Sequence, residues 1–289
     1  MESIVKKVQR KSMPIRFSGR STDFISPSFG HGCLYDCSYC YCKRYKTSGL
    51  SIATNVDDIL NVIYKHSESA IVEKPNQTHP DFITYDISCN EDFALHSKYH
   101  DWIKIFDFFK NNSNIMGSFA TKYVNKALLA YNPEGKIRVR FSLMPQEYSD
   151  LLEPGTSKII DRINAINDFI EAGYDVHINF SPVIVVGNWL EQYKILFETV
   201  ESVVKNEYKP SVKAEVIFLT HNERKHLFNL ENNIPGEELL WKPEIQEDKT
   251  SQFGGSNIRY QYRLKADFIK DFTSLHDEII PWNKIRYIF

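Results

Sequence analysis

The chain has 289 residues, enough for one large domain or two small ones. Hydrophobic residues make up 42% and charged residues 25%, and the net charge of −2 provides no overall positive field typical of nucleic-acid binding. No apolar run approaches the roughly 20 residues that span a bilayer, and the N-terminus lacks a signal-peptide pattern. We therefore expect a cytoplasmic protein without a membrane partner.

Short β-rich runs alternate with longer amphipathic helical patterns along most of the chain. The predicted strands are Phe82–Ser88, Ile115–Lys122, Ile137–Leu143, Val176–Val183 and Ala214–Thr220. The predicted helices are Val56–Ser67, Tyr99–Asn111, Tyr123–Ala130, Ser157–Ala172, Trp189–Lys205 and Glu223–Leu230. This alternation predicts parallel βαβ units with right-handed crossovers, hence an α/β fold built as a partial or full (β/α) barrel.

Two local signals mark helix ends. Thr156 or Ser157 is a candidate cap for the helix that follows, and Gly173 is a helix-stop glycine before the next strand. After Gly255 the pattern changes to a Tyr-rich strand, a helix and a short final strand, predicted at Asn257–Leu264, Ala266–His276 and Lys284–Phe289. We interpret the chain as a basic N-terminal arm (1–25), a barrel (26–235) and a C-terminal extension packed on it (236–289).

Polar or reactive residues recur where the predicted strands end. In (β/α) barrels the chemistry lies at the carboxyl ends of the strands. The residues at these ends are Cys89, Thr121, Lys122, Ser142, Ser181, Thr220 and His221. Their recurrence at one edge predicts a lined cavity.

Four of the five cysteines crowd into ten residues, and Cys33, Cys37 and Cys40 have the spacing Cys-x3-Cys-x2-Cys. Such crowding is a poor disulfide framework and indicates metal ligation. Three thiolates on a [4Fe–4S] cluster leave one iron open for a small molecule. A zinc site that uses His31 or Cys42 as fourth ligand is the alternative. We interpret Cys42 as a bystander, since it is too close to Cys40 to bind the same cluster comfortably.

The cysteine motif resembles that of the radical S-adenosylmethionine (SAM) superfamily. Further blocks, in order along nearly the whole chain, resemble the spore photoproduct lyase family of DNA repair enzymes. These blocks are the loop from Cys33 to Tyr41, Asp86–Cys89, Thr121–Lys122, Arg140–Ser142, Glu153–Thr156 with Arg162, Ala172–Tyr174, Ser181–Pro182 with Trp189, Phe218–His221, Arg259–Tyr262 and Ile285–Tyr287.

The resemblance implies a partial (β/α)6-type barrel and a carbon–carbon lyase with a [4Fe–4S] cluster and SAM as cofactors. A 5′-deoxyadenosyl radical would abstract hydrogen from a thymine-type DNA lesion, and a cysteine would return hydrogen to the thymine radical. By matching position, Cys89 would be that hydrogen donor and Tyr41 would assist it. Tyr39 would lie against the SAM adenine, Lys122 would pair with its carboxylate, and Ser142 would contact its ribose or methionine part.

The expected partners are DNA or another nucleobase-containing substrate, and a reductant such as flavodoxin or ferredoxin, with a monomer favoured. The basic arm and the segments Arg259–Tyr262 and Lys284–Arg286 are candidate phosphate contacts. Independently of the resemblance, a thiol gives up a hydrogen atom readily, although a free cysteine is usually a small buried hydrophobe.

Some features depart from the family pattern. The chain is shorter than expected for the spore enzymes, and Cys89 is followed by Asn90, Glu91 and Asp92 where the lyases carry a small hydroxyl residue first. An enzyme acting on another modified nucleobase, as in thymine hypermodification, or on a small molecule is therefore an alternative. A non-enzymatic Fe–S or zinc protein is a third.

Overall fold

A computed structural model describes residues 5–40, 49–250 and 255–289. Within these ranges the main sheet has eight strands in the order β14-β10-β9-β8-β7-β6-β3-β2, all parallel except β2, which pairs antiparallel with β3. Its strands are β2 (Arg16–Phe17), β3 (Phe24–Ile25), β6 (Ile83–Asp86), β7 (Ile115–Thr121), β8 (Ile137–Leu143), β9 (Asp175–Val183), β10 (Lys213–Phe218) and β14 (Ile285–Ile288). The predicted α/β partial barrel is confirmed.

Two small sheets flank the main one. The first has the order β1-β5-β4 and the second β11-β13-β12. Their strands are β1 (Val5–Val8), β4 (Gly30–His31), β5 (Leu50–Ala53), β11 (Thr220–His221), β12 (Gln246–Thr250) and β13 (Ser256–Tyr260).

Helices alternate with the strands along the chain, and several of them pack against the main sheet. They are α1 (Val56–Ser69), α2 (Phe93–His96), α3 (Trp102–Asn111), α4 (Gln146–Leu152), α5 (Ile159–Glu171), α6 (Trp189–Val203), α7 (Glu223–Glu231), α8 (Glu237–Leu240) and α9 (Tyr262–Ile279). Aromatic side chains fill the layer between helices and sheet: Phe141 of β8 packs edge-on against Phe169 of α5, with ring centroids 5.2 Å apart. No helix among the described residues is both long and apolar enough to cross a membrane.

Strand β8 shows how the sequence builds this arrangement. Its residues alternate between apolar and polar types, and all seven are buried. Since successive side chains point to opposite faces, the apolar set lies against the helices and Arg138, Arg140 and Ser142 point into the barrel. The barrel interior is therefore polar, and buried polar groups there need partners.

The interior charges are paired in layers. In the lower layer, Arg138 Nε lies 2.7 Å from Asp175 Oδ2, and His177 Nε2 lies 3.3 Å from Asp175 Oδ1. In the next layer, Arg140 lies 2.6 Å from Asp86 and 3.4 Å from Glu215. These pairs form a charged floor beneath the carboxyl ends of the strands.

Contacts of Glu215 also join the two edges of the sheet. Ser21, between β2 and β3, donates a hydrogen bond to Glu215 of β10 at 2.8 Å, and Arg286 of β14 pairs with the same carboxylate. Arg286 Nη1 also donates to the carbonyl oxygens of Gln77 and Thr78, at 2.7 and 3.1 Å. Polar side chains thus bridge the gap that a complete barrel would close with strands.

Several local predictions were wrong. Tyr123–Ala130 is not an α-helix: only Lys126–Ala130 forms a turn of 3-10 helix. The strand predicted at Ala214–Thr220 breaks after Phe218, and Thr220 joins β11 in the second small sheet. The strand predicted at Asn257–Leu264 ends at Tyr260, because α9 begins at Tyr262.

The predicted cap of α5 was also wrong. Lys158 occupies the N-cap position without a side-chain cap bond. The Ser157 hydroxyl instead accepts from the Val124 amide at 3.0 Å, and the Thr156 hydroxyl contacts Glu153 and Arg162. The helix stop at Gly173 is confirmed by its φ of 93°. Its amide donates to Ile170 O and that of Tyr174 to Phe169 O, a Schellman pattern.

Strands from the predicted arm (1–25) and from the predicted extension (236–289) are part of the main sheet, through β2, β3 and β14. The sequence pattern predicted the last of these strands, at Lys284–Phe289, but not β2 and β3. These two have only two residues each and gain their stability from neighbours that are distant in sequence.

Candidate active site

The cysteine loop follows β4 and lies at the carboxyl end of the barrel. Cys37 is buried, whereas Cys33 and Cys40 are partly exposed, and the Cys40 amide donates to Cys37 O at 3.0 Å. The intervening Ser38 is anchored on both sides: its amide donates to Leu152 O at 2.9 Å, and its carbonyl accepts from Asn229 Nδ2 at 2.9 Å. Helices α4 and α7 therefore both hold the loop.

The three thiols share one electrostatic environment. Burial raises the pKa of Cys33 to about 12, and the charges of Asp92 and Cys40 add to this effect. Burial also raises the pKa of Cys37 well above its usual value, with Glu153 adding to the shift and Lys122 opposing it. Such thiols become thiolates only when a cationic group binds them, and a soft donor set of three cysteines suits an iron–sulfur cluster.

Of the two residues considered as a fourth zinc ligand, the described ranges contain His31 but not Cys42. No three His, Cys, Asp or Glu side chains there converge on a point where one metal ion could be held. A multi-iron cluster makes a different demand, since each cysteine binds its own iron atom.

Lys122 follows β7 and reaches over the loop. Its Nζ lies 3.9 Å from Glu153 Oε1 and 5.7 Å from the centre of the Tyr39 ring. The Tyr39 hydroxyl donates to the same Glu153 oxygen. Lys122 thus presents a partly exposed cation, 21% accessible, beside the cysteine loop, which is the charge that a SAM carboxylate requires.

Glu153 and Arg162 form the buried support for this cation. Both side chains are fully buried, and Arg162 Nη2 lies 2.9 Å from Glu153 Oε2. Burial alone would raise the pKa of Glu153, but Arg162 and Lys122 hold that pKa below its usual value. Both residues belong to the blocks that resemble the lyase family, but their pairing was not predicted because it depends on the turn between α4 and α5.

Asp92 links the start of α2 to the end of β7. It caps α2 by accepting from the Leu95 amide at 3.1 Å. It also accepts from the Thr121 hydroxyl at 2.7 Å and from the Lys122 amide at 2.8 Å. This acid is therefore buried and is bound by donors from within the fold.

Cys89 lies in the turn directly after β6. Its side chain is partly exposed rather than packed behind the strand, and Arg16 Nη2 lies 3.9 Å from its Sγ. The next residue of the turn, Asn90, accepts a 3.0 Å hydrogen bond at its carbonyl from the Gly32 amide of the cysteine loop. The lone cysteine and the cysteine loop therefore meet at the same end of the barrel.

Ser142 is buried near the end of β8, opposite Asn179 of β9. Arg162 Nη1 holds its carbonyl at 2.8 Å. Asn179 Oδ1 is buried and has no hydrogen-bond partner in the described part of the chain. These two side chains form a polar level above the charged floor.

Other predicted residues lie elsewhere. Tyr41 and Cys42 lie outside the described residues. His221 is buried in β11, where its Nε2 lies 3.0 Å from Glu237 Oε1. Arg286 is a poor phosphate contact, since its side chain is 4% exposed and pairs with Glu215. Arg10 also turns into the fold, where it donates to the carbonyls of Ser28 and Ser51.

A family model described as spore photoproduct lyase matches residues 3–289. The chain belongs to the spore photoproduct lyase family. Proteins named spore photoproduct lyase from Bacillus subtilis and Clostridium acetobutylicum are each 26% identical to this chain, over 288 and 268 residues. The alignments cover 96% and 89% of this chain and 80% and 74% of those proteins. The predicted family and enzyme class, a radical SAM lyase, are confirmed.

Solved structures confirm the fold. A spore photoproduct lyase mutant with dinucleoside spore photoproduct superposes with a TM-score of 0.88 at 19% identity, covering 99% of this chain and 82% of that one. A second mutant structure with bound AdoMet and dinucleoside spore photoproduct has a TM-score of 0.86, also at 19% identity and with the same coverage.

Proposed function

We propose that this chain repairs spore photoproduct in DNA, using a [4Fe–4S] cluster on Cys33, Cys37 and Cys40 and SAM bound beside it. When bound, these cofactors supply a 5′-deoxyadenosyl radical. The observation that carries the proposal is the bond from the Gly32 amide to Asn90 O, which places the Cys89 turn against the cysteine loop. A hydrogen donor so placed is close to where a substrate radical would form.

The residues around the loop would orient SAM. Lys122 supplies the cation for the carboxylate, with its position fixed by Glu153. The partly exposed ring of Tyr39 would lie against the adenine, and Ser142 offers a hydroxyl to the ribose or methionine part. The charged floor would keep SAM at the carboxyl end of the strands. The buried charges of the floor are already paired with one another, so they offer no free partner deeper in the barrel.

Cys89 would complete the reaction. After the lesion fragments, the thymine radical takes the hydrogen atom of the Cys89 thiol: the S–H bond breaks, a C–H bond forms and a thiyl radical stays on the protein. Tyr41, the residue after Cys40 in sequence, would assist this return of hydrogen. The partial exposure of Cys89 supports its role, because a donor must reach a radical in the cavity.

DNA would reach the cavity with its damaged nucleotides turned out of the stack, at a cost of a few kcal/mol. Candidate phosphate contacts are exposed cations, namely Lys6, Lys11, Arg20 and Lys284. Three further points stay predictions. The reductant is expected to be a flavodoxin or ferredoxin, the protein is expected to be a monomer, and its expected location is the cytoplasm.

Turnover of a defined lesion tests the proposal. Reduced, reconstituted protein with SAM and dinucleoside spore photoproduct should release the repaired thymine dinucleoside and cleave SAM to 5′-deoxyadenosine. SAM cleavage without thymine release would contradict the proposal and favour an enzyme for a different base. Protein that makes no 5′-deoxyadenosine would contradict both.

A further inference from the structure

A buried carboxylate lies two residues after Cys89. The Glu91 side chain is fully buried, and its Oε2 lies 3.0 Å from His96 Nδ1 and 2.9 Å from His100 Nε2, both of which are also fully buried. Its second oxygen, Oε1, has no hydrogen-bond partner among the described residues. Burying a carboxylate costs several kcal/mol of folding free energy unless it is well paired. A buried carboxylate with one unpaired oxygen therefore indicates a specific function for Glu91.

His96 connects this carboxylate to the cysteine loop. Its Nε2 accepts a 3.3 Å hydrogen bond from the backbone amide of Leu34, the residue directly after Cys33. An acceptor at Nε2 requires that the proton of the neutral ring sits on Nδ1, and Nδ1 faces Glu91. The carboxylate therefore selects the tautomer that can hold the loop amide.

The carboxylate also packs on the strand that leads into the loop. A Cβ at Gly30 in β4 would collide with the Glu91 carboxylate, so only glycine allows this approach. Burial alone would raise the pKa of Glu91, but His100 and His96 keep that pKa below its usual value. A negative charge is therefore held at the base of the loop.

We propose that Glu91, acting through His96, is a positioning residue for the cluster: it holds the Leu34 amide and so sets the course of the backbone between Cys33 and Cys37. This inference rests on one part of the proposed function, namely that the cysteine loop binds an iron–sulfur cluster. Loss of this anchor should change the environment of the bound cluster as well as the stability of the fold.

His100 provides a matched control. It pairs with the same carboxylate oxygen and stacks on Phe93 at 5.0 Å, but no contact is described between it and the cysteine loop. His96→Phe and His100→Phe both remove one donor to Glu91 and should both lower the melting temperature. Only His96→Phe removes the acceptor for Leu34.

The experiment compares these variants as anaerobically reconstituted protein without substrate. The EPR spectrum and the midpoint potential of the reduced cluster should shift in His96→Phe and remain those of the wild type in His100→Phe. His96→Gln, whose amide can accept from Leu34 and donate to Glu91, should restore the wild-type spectrum. Amide exchange at Leu34 should be faster in His96→Phe alone.

Equal spectra in His96→Phe and the wild type, or equal shifts in both phenylalanine variants, would overturn the inference. Should His96→Phe fail to fold, Glu91→Gln replaces it: this variant keeps the side-chain shape but removes a negative charge near the cluster, so the midpoint potential should become more positive. An unchanged potential would again overturn the inference. Because no lesion is turned over, these outcomes are independent of whether spore photoproduct is the substrate.

Discussion

At the scale of single residues, the proposed radical chemistry depends on four cysteines that lie in two separate parts of the sequence. Cys89 is partly exposed at the mouth of the barrel, whereas Cys37 is buried in the loop that would hold the cluster. The type and spacing of these cysteines are visible in the sequence. Their positions, in the loop after β4 and in the turn after β6, are brought to the same end of the barrel only by the fold.

Replacing the hydrogen donor should change the products rather than stop the reaction. Cys89→Ala is expected to retain cleavage of SAM but to give thymine adducts in place of clean repair, because no thiol hydrogen is available. Chromatography and mass spectrometry of the products measure this change. Cys89→Ser is the matched control for size and should behave like alanine, since an O–H bond is too strong to donate its hydrogen atom. Clean repair by Cys89→Ala at the wild-type rate would exclude Cys89 as the donor.

At the scale of elements, the alternation of apolar and polar residues predicted β8 with its observed bounds. It did so because one face of the strand meets helices and the other meets polar barrel side chains. The cap of α5 was mispredicted for the opposite reason: the hydroxyl of Ser157 accepts from the amide of Val124, which is 33 residues away in sequence. Local propensity is informative where no tertiary partner competes for the same group.

The end of α5 makes a prediction about backbone conformation. Gly173→Ala should destabilise the fold by about 3 kcal/mol, because its φ of 93° is left-handed and the added Cβ would collide with the Asn132 side chain. Gly135→Ala is the control: its φ of 74° is also left-handed, but nothing lies within 4 Å of the added Cβ. That variant should cost only about 1 kcal/mol. Urea unfolding measures both, and equal losses would show that the contact with Asn132 contributes nothing.

At the scale of the whole molecule, polar contacts close the barrel. Glu215 of β10 receives Arg140 from β8, Arg286 from β14 and the hydroxyl of Ser21 from the other edge of the sheet. Burial alone would raise the pKa of Glu215, but Arg140 and Arg286 lower that pKa to about 2 from an ordinary 4.5. The carboxylate thus stabilises the fold in its ionised form.

This linkage predicts how stability depends on pH. Since the folded-state pKa is depressed, the contribution of Glu215 is fully present above pH 4.5 and is lost as the pH falls towards 2. Glu215→Gln should lower the free energy of unfolding at pH 7 by about 3–5 kcal/mol, because it leaves two buried arginines with one carboxylate fewer. The loss relative to the wild type should shrink between pH 4.5 and pH 2.

Thermal or urea unfolding across this pH range measures the effect. Glu231→Gln, a change at an exposed position, is the control and should stay within about 0.5 kcal/mol of the wild type. A pH-independent difference between Glu215→Gln and the wild type would contradict the assignment.

The sequence by itself determined the α/β class, most of the central strands and helices, the cysteine loop and, through ordered blocks, the family. These features are local or nearly so, because the cysteine spacing and the hydrophobic periodicity of strands and helices extend over short stretches of sequence. The role of Lys122 and Ser142 as SAM contacts was inferred from the resemblance alone and stays a prediction.

Only the tertiary structure decided which distant groups meet. Ser21 and Glu215 are 194 residues apart, and Leu34 and His96 are 62 apart, yet each pair is joined by hydrogen bonds within the folded chain. Whether a buried acid such as Glu91 or Asp92 repels DNA or supports the cluster loop depends on where it points. That direction is set by packing around the whole barrel, which no short window of sequence contains.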